Sequence, residues 1–163
     1  MPMSSSVEQR RFRVAAIAIV LGGCATAMKV LPGHSTVLPE QAATGVAHQC
    51  SRPGPPKFEA TWTPSSDIVR EMEERIDNIR SLRAGCCIRG TRITNLDGYY
   101  LQYAGIVVND RKLIYVNAFW GSPPSDAWLT QPVMFCDGGS GSWGVLYDPE
   151  RRVFSVLHVN CIA

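Results

Sequence analysis

Residues 99–119 read YYLQYAGIVVNDRKLIYVNAF. Two runs rich in β-branched and aromatic residues, 99–108 and 113–119, lie on either side of the polar sequence Asn109-Asp110-Arg111-Lys112. Such runs are typical of strands, and a polar segment between them is typical of a turn. The stretch therefore predicts an antiparallel hairpin, around which the rest of the domain is organised.

A second hairpin is predicted near the C-terminal end. Strand candidates 143–148 and 153–160 flank the turn sequence Pro149-Glu150-Arg151-Arg152. If both hairpin loops have four residues, the strand registers follow. The opposed pairs are then Val108–Leu113, Ile106–Tyr115, Tyr147–Phe154, Val145–Val156 and Trp143–His158. The pairs of the second hairpin form a strongly apolar face, which we expect a helix to cover.

One amphipathic helix is predicted over residues 65–84. Thr63 or Ser65 can cap it, Pro64 fits its first position, and Gly85 fits a C-terminal stop. Apolar residues recur along it at steps of four and three, which places them on one face. These residues are Ile68, Met72, Ile76, Ile79 and Leu82.

Shorter elements complete the predicted domain. Residues 88–93 and 133–136 are short strand candidates, 120–131 form a loop with Pro and Gly, and 137–142 (DGGSGS) form a flexible turn. Together these elements predict an α+β fold, with one N-terminal helix packed on an antiparallel sheet of about five strands. The order of a helix followed by a meander resembles the cystatin arrangement. That resemblance concerns topology and implies no function.

The folded domain is expected to span residues 65–163. Residues 24–64 are rich in Pro, Gly, Ser, Thr and Ala and show no sustained period. Such a composition buries too little apolar surface to offset chain entropy, so we expect a flexible Pro-rich tether. His34 and His48 lie in this segment and are expected to be solvated.

Residues 1–23 have the pattern of a signal peptide. Arg10, Arg11 and Arg13 precede the apolar run 14–21 (VAAIAIVL). A membrane-spanning helix needs about 20 apolar residues, so this run is too short to span a bilayer. We therefore expect export from the cytoplasm.

The leader ends in Leu21-Gly22-Gly23-Cys24, which resembles the lipobox of bacterial lipoproteins. The resemblance implies cleavage before Cys24 and acylation of its sulfur, which would anchor the chain to a lipid bilayer. Ala25 follows Cys24, which by analogy with enterobacterial sorting favours the outer membrane, facing the periplasm. The alternative is ordinary cleavage near residues 25–27 without a lipid. The domain itself is similar to small gammaproteobacterial lipoproteins to which we attach no activity.

The charge balance argues against a nucleic-acid partner. The chain has 16 Lys and Arg residues against 14 Asp and Glu residues. Removal of the leader takes away Arg10, Arg11, Arg13 and Glu8, which leaves 13 basic and 13 acidic residues. A nucleic-acid binder usually carries a clear basic excess, and this chain would carry none.

Five cysteines remain after Cys24. The periplasm is oxidising, so we expect disulfides among them, and their odd number leaves at least one free or paired between chains. Adjacent Cys86 and Cys87 rarely bond to each other, so the preferred pairs are Cys136–Cys161 and Cys50 with Cys86 or Cys87. A zinc site is the rival interpretation, but paired C-x₂-C spacing is missing.

No catalytic or cofactor motif emerges. The run from Gly139 to Gly144 matches G-x-G-x-x-G, but a strand follows it where a dinucleotide site needs a helix. A Cys–His pair would need His158 to meet Cys86 or Cys87 in the fold. We therefore expect no cofactor and no metal, and we lean against an enzyme.

The candidate contact surface is the loop bounded by Trp120 and Trp128 together with Asp137, Ser140 and Ser142 of the Gly-rich turn. The favoured function is a membrane-anchored envelope lipoprotein that binds an envelope protein, as an inhibitor, immunity factor or assembly accessory would. Two alternatives stay open. One is a periplasmic enzyme of the thiol or cell-wall hydrolase type, and the other is a structural linker between outer membrane and cell wall.

Overall fold

The computed structural model describes residues 30–162. The predicted signal peptide and Cys24 lie outside the described residues. The described part forms one six-stranded sheet with a few short helices, which confirms the predicted α+β class. Within residues 30–162, every helix is too short or too polar to span a bilayer. The strands are β1 (Ser35–Val37), β2 (Ala60–Trp62), β3 (Tyr99–Val108), β4 (Arg111–Trp120), β5 (Ser142–Asp148) and β6 (Val153–Val159).

The sheet is built around β3 and β4. Its strand order is β1–β3–β4–β5–β6, and β2 pairs with β3 off this path. β1 lies parallel to residues 101–103 of β3, and β2 lies antiparallel to residues 105–107. The other pairings are antiparallel. Two short strands therefore cover the edge of β3 that β4 leaves open.

The hairpin of β3 and β4 has a tighter turn than predicted. Asn109 and Asp110 have φ of 50° and 61°, the left-handed geometry of a two-residue hairpin turn. Ile106 therefore lies opposite Leu113, and Val108 lies opposite Arg111, so the predicted register is wrong by two residues. A shift of two keeps every side chain on its face of the sheet, and the core is unaffected.

The hairpin of β5 and β6 has the predicted four-residue loop. Tyr147 lies opposite Phe154, as predicted. Further along, β6 contains a bulge, where Val156 has φ of 55°. The bulge inserts one extra residue, so two residues of β6 oppose Val145, and Trp143 pairs with Val159. The predicted pair Trp143–His158 is therefore wrong, and Val145 faces the bulge of Val156 and Leu157 instead of Val156 alone.

Asp148 closes this second hairpin. Its carboxylate accepts hydrogen bonds of 3.0 Å from the backbone N–H groups of Glu150 and Arg151, and it pairs with the Arg111 guanidinium. Burial acts to raise the pKa of Asp148, but the hydrogen bonds from Arg151 and Arg111 outweigh it, so the pKa is lowered. The ionised carboxylate therefore stabilises the turn.

The predicted tether is wrong over its described part. After β1, helix α1 (Glu40–Ala43) and a 3₁₀ turn (Thr44–Ala47) lead towards β2. Leu38, Ala43 and Val46 are fully buried. His34 is not simply solvated, because its ring stacks on Tyr100 at 4.1 Å between centroids. Scattered apolar side chains among the prolines are enough to bind this segment to the sheet.

The predicted helix over residues 65–84 forms in two parts. Helix α2 (Ser66–Glu74) is capped by Ser65, whose hydroxyl accepts a hydrogen bond from the N–H of Ile68. The chain then leaves α-helical geometry at Arg75 and continues as a 3₁₀ helix (Ile76–Ser81). The change matches the apolar spacing, which is four residues up to Ile76 and three beyond it.

Both faces of the sheet are covered. On one face, Met72, Ile76 and Ile79 share a core cluster with the inward residues of β5, which confirms the β5 part of the predicted helix-covered face, whereas Val156 of β6 is 48% exposed. On the other face the N-terminal segment packs against β3, β4 and β5. The residues of this second cluster are Leu38, Ala43, Val46, Ala104, Ile106, Leu113, Tyr115 and Leu146.

The strands predicted at residues 88–93 and 133–136 do not form. Both segments are irregular and lie at the end of the sheet where β3 begins and β4 ends. Side-chain amides, described below, take the place of a strand partner for residues 133–137. This end of the sheet carries the candidate site.

Candidate functional site

A buried guanidinium lies beneath the site. Arg52 is only 6% exposed, and it follows Cys50 on the segment that crosses the sheet. Its Nε donates to the Tyr115 hydroxyl at 3.3 Å, and its two terminal nitrogens donate to the side-chain oxygens of Asn117 and Asn160. Within residues 30–162 no carboxylate pairs with Arg52, so neutral acceptors compensate its charge.

Three buried amides extend this network into the irregular loop. Gln102 donates to the backbone oxygens of Trp128 and Gln131 and accepts from the N–H of Val133. Asn117 bonds both Gln102 and the Val133 carbonyl, each at 2.9 Å. Asn160 donates to the carbonyls of Phe135 and Asp137. The loop therefore has a defined position without regular secondary structure.

Two disulfides fasten the same region, in a pairing different from the predicted one. Cys50 is bonded to Cys136, and Cys87 to Cys161, with Cα–Cα distances of 5.0 and 4.8 Å. Cys86 is free. The preferred pair Cys136–Cys161 is wrong, because the segment predicted as a tether crosses the sheet and brings Cys50 to Cys136. The disulfides are consistent with an extracytoplasmic location.

A cleft opens above the loop, and we call it the Trp120 cleft. Its volume is about 460 Å³. Trp120 ends β4 and is 65% exposed, and Phe135, which also lines the cleft, is 41% exposed. The Asp137 carboxylate has no hydrogen-bond or ion-pair partner within residues 30–162. The lining residues are Trp120, Phe135, Cys136, Asp137, Gly138, Gly141 and Ser142.

Two glycines, Gly98 and Gly138, leave space for the groups that line this cleft. A Cβ at Gly98, where φ is +79°, would lie 2.7 Å from Nε1 of Trp120, so any larger residue would displace the indole. Gly138 has φ of +100°, a left-handed conformation that favours glycine. The turn can therefore approach the cleft with backbone alone.

A smaller polar cleft of about 220 Å³ is also lined by Trp120. Its lining includes Arg92, Asp97 and Ser140. The Tyr99 hydroxyl donates to the Ser140 carbonyl at 2.7 Å and so connects β3 to the Gly-rich turn. Trp120 is thus shared by two clefts, one mainly apolar and one polar.

The structure brings four of the five predicted contact residues together. Trp120, Asp137 and Ser142 line the Trp120 cleft, and Ser140 lines the smaller one. Trp128 does not belong with them, because it is only 7% exposed. Its ring packs edge-on against Tyr100 and Phe119, at 5.2 and 6.3 Å between centroids. Trp128 therefore packs the loop onto the sheet and does not line the Trp120 cleft.

Sequence reasoning missed Phe135 and the polar base of the site. Phe135 lies within residues 133–136, which were predicted as a short strand, so nothing in the sequence distinguished its side chain. Gln102 and Asn117, however, interrupt otherwise apolar strands, and both are at most 1% exposed. A polar residue in the middle of a buried strand indicates a buried hydrogen-bond network, so the sequence does contain a signal for the polar base of the site.

Cys86, the free thiol among residues 30–162, lies close to a disulfide, and an imidazole packs against the residue before it. A Cβ at Gly85 would lie 3.6 Å from Nε2 of His158, so the ring packs beside the residue that precedes Cys86. Burial raises the pKa of the Cys86 thiol, while the charges of Arg52 and Arg89 oppose that rise. The thiol is therefore mainly protonated at neutral pH.

Metal-ligating side chains do not cluster in the described part of the chain. Within residues 30–162, no three His, Cys, Asp or Glu side chains are grouped so as to hold a metal ion. Comparison of the chain with protein-family models, with curated proteins and with solved structures gave no match. The two clefts and the cysteines are therefore the features of residues 30–162 that bear on function.

Proposed function

We propose that the protein is a lipid-anchored envelope protein that binds a protein partner through the Trp120 cleft. The observation that carries this proposal is the exposure of Trp120, a large apolar side chain, beside Phe135 and an unpaired carboxylate. Isolated exposed apolar residues are common and need no explanation. Two exposed aromatic rings facing one concave, rigid site are typical of a binding surface.

The cleft is suited to binding because its walls are already in place. Its aromatic and acidic groups are held by a disulfide at Cys136 and by the amide of Asn160, which bonds the carbonyls on both sides of that cysteine. A partner therefore does not have to order the loop when it binds, and less binding energy is lost. Tryptophan is also the residue most enriched among energetically dominant interface positions.

The chemistry of the cleft favours a basic side chain surrounded by apolar ones. An indole attracts a cation over its face, and the Asp137 carboxylate would pair with the same charge. Phe135 supplies apolar surface next to both groups. We therefore expect the partner to insert a Lys or Arg side chain that lies beside an apolar residue.

Substitution of Trp120 tests the binding site. Burial of the exposed part of an indole, about 130 Å², stabilises a complex by about 3 kcal/mol, so Trp120→Ala should weaken binding by roughly 100-fold. Leu129→Ala is the matched control, because Leu129 is 44% exposed but does not line the cleft. Asp137→Asn should weaken binding and reduce its salt dependence.

The assay uses immobilised mature protein and an extract of its own cell envelope. A captured protein counts as the partner only if Trp120→Ala and Asp137→Asn lose it and Leu129→Ala keeps it, and if the purified pair binds in titration. The proposal is refuted if no captured protein depends on Trp120. Co-sedimentation with purified peptidoglycan that depends on Trp120 would instead favour the wall-linker function.

The anchor is tested by the intact mass of the membrane-extracted protein. We expect the mass of residues 24–163 plus acyl chains, and reduction should add the protons of two disulfides. Cys24→Ser is the control, since this variant should not be lipidated. An uncleaved or unlipidated wild-type mass would refute the anchor and leave the binding site to be judged on its own.

A further inference from the structure

Three cysteines form a compact cluster next to the Gly-rich turn. The free thiol of Cys86 lies 3.9 Å from the sulfur of Cys87, which is bonded to Cys161. Because a disulfide bond adds only about 2 Å, the sulfur of Cys161 lies within about 6 Å of the thiol. Cys87 and Cys161 are both exposed, and Cys86 is half-buried.

We propose that Cys86, Cys87 and Cys161 form a thiol–disulfide exchange site, in which Cys161 bonds alternately to Cys87 and to Cys86. The thiolate of Cys86 attacks the sulfur of Cys161, the bond between Cys87 and Cys161 breaks, and Cys87 leaves as a thiolate that takes a proton from solvent. One disulfide is replaced by another, so the step needs no oxidant or reductant.

Attack on the sulfur of Cys87, which lies 3.9 Å away, does not give a stable product. It would join neighbouring residues in a vicinal disulfide, which strains the peptide between them. Attack on Cys161 instead closes a loop of nearly the same length as the existing one. Loop-closure entropy therefore barely distinguishes the two disulfides, and local geometry decides between them.

Local geometry has opposing effects on the relative stability of the two disulfides. Cys87 has φ of 56°, a left-handed conformation that is unfavourable for a residue with a Cβ. If Cys86 takes over the bond, Cys87 is released from the constraint that holds it there. In return, Cys86 leaves its half-buried position. We therefore expect both disulfides to be populated.

The exchange should be slow at neutral pH and faster in base. The attacking group is the thiolate, and the charged groups that act on it are Arg52 and Arg89, while the imidazole of His158 packs beside the neighbouring Gly85. Burial keeps Cys86 protonated despite the two guanidinium groups. Below the thiol pKa, the exchange rate should therefore rise about tenfold for each pH unit.

The exchange is coupled to the Trp120 cleft through the chain around Cys161. The carbonyl of Cys161 accepts a hydrogen bond from the N–H of Gly139 at 3.1 Å, and Ile162 packs against Gly139. Gly139 lies between Gly138 and Gly141, which line the cleft. A change of disulfide should therefore shift one wall of the cleft, a consequence that rests on the proposed function.

Thiol mapping tests the exchange without reference to any partner. The folded mature protein is incubated under native conditions at about pH 7 and about pH 9, quenched in acid and labelled with a maleimide. Arg83 and Arg89 allow trypsin to release a short peptide with both adjacent cysteines, and its fragment ions show which one carries the label. We expect label on Cys87 as well as Cys86, reached sooner at the higher pH.

Two variants and an internal control complete the design. Cys87→Ser should still bond Cys161, through Cys86, and Cys86→Ser should hold a single disulfide register. Cys50–Cys136 must stay intact throughout, because its loss would indicate general scrambling and would overturn the proposal. Label confined to Cys86 after long incubation at the higher pH would overturn it equally. Neither result depends on whether the cleft binds a partner.

Discussion

Replacement of Arg52 by methionine is expected to destabilise the domain strongly. Methionine keeps much of the length and apolar volume of the side chain but removes every donor. The hydroxyl of Tyr115 and the side-chain oxygens of Asn117 and Asn160 then lose the guanidinium that satisfies them. These groups lie in the interior, where water cannot easily replace the lost hydrogen bonds.

The magnitude follows from the number of bonds lost. A buried acceptor left unsatisfied costs about 1–3 kcal/mol, so three such acceptors cost about 3–6 kcal/mol after some relaxation. Removal of a buried charge that no carboxylate neutralises returns part of that energy. We therefore expect Arg52→Met to lower the free energy of unfolding by about 2–4 kcal/mol, a large part of the stability of a typical domain.

Urea denaturation of the oxidised protein, followed by the fluorescence of its tryptophans, provides the measurement. For the expected loss the midpoint should fall by about 1–2 M. Arg89→Met is the matched control, because Arg89 is exposed and its replacement should change stability by less than about 0.5 kcal/mol. If Arg52→Met stays within about 1 kcal/mol of wild type, the buried network does not stabilise the fold and the reasoning is refuted.

Three further predictions concern stability. Gly144→Ala should cost about 2–3 kcal/mol because its Cβ would overlap the Tyr115 hydroxyl, whereas Gly141→Ala, which meets open space, should be nearly neutral in the same urea titration. Asp148→Asn should be less stable than wild type above about pH 4; because the folded pKa of Asp148 is lowered, the difference should shrink as the pH falls through that pKa, and a difference that persists in acid would contradict the electrostatic explanation. Asp110→Gly should raise Tm by a few degrees, since Asp110 has φ of 61°, and a lower Tm would show that its side chain stabilises the turn.

The central sheet and the amphipathic helix could be predicted because the sequence of each segment alone carries the signal for its secondary structure. Residues 99–108 and 153–159 are apolar runs bounded by turn residues, and the stripe from Ile68 to Leu82 records even the change from α to 3₁₀ spacing. The bulge at Val156 could not be predicted in the same way. It depends on how β6 fits against β5, and no residue type in the strand requires it.

The N-terminal segment could not be predicted because its burial depends on a distant surface. Leu38 and Val46 lie in a segment without helical or strand periodicity, and they become buried only because the second face of the sheet is open to them. Because this segment was predicted to be a free tether, the predicted disulfide pairing was also wrong. Once residues 38–52 are thought to be free, nothing in the sequence indicates that Cys50 lies beside Cys136.

The candidate site could be predicted only in part, because its geometry also depends on how distant segments pack. Trp120 and Trp128 flank the same Pro-containing loop, and nothing in that spacing separates the exposed indole from the buried one. The distinction comes from strand geometry. Trp120 is the last residue of β4 and leaves the sheet, whereas Trp128 lies on a 3₁₀ turn that folds back over Tyr100 and Phe119.

The packing of the N-terminal segment also changes what the proposed anchor implies. A free chain from Cys24 to Pro64 would let the domain reach far from the bilayer. With β1 beginning at Ser35, only the chain between Cys24 and that strand remains as a spacer. Fully extended, such a segment spans at most about 40 Å. If Cys24 carries a lipid, the Trp120 cleft therefore stays near the membrane surface, and the partner to search for is itself a membrane-associated protein.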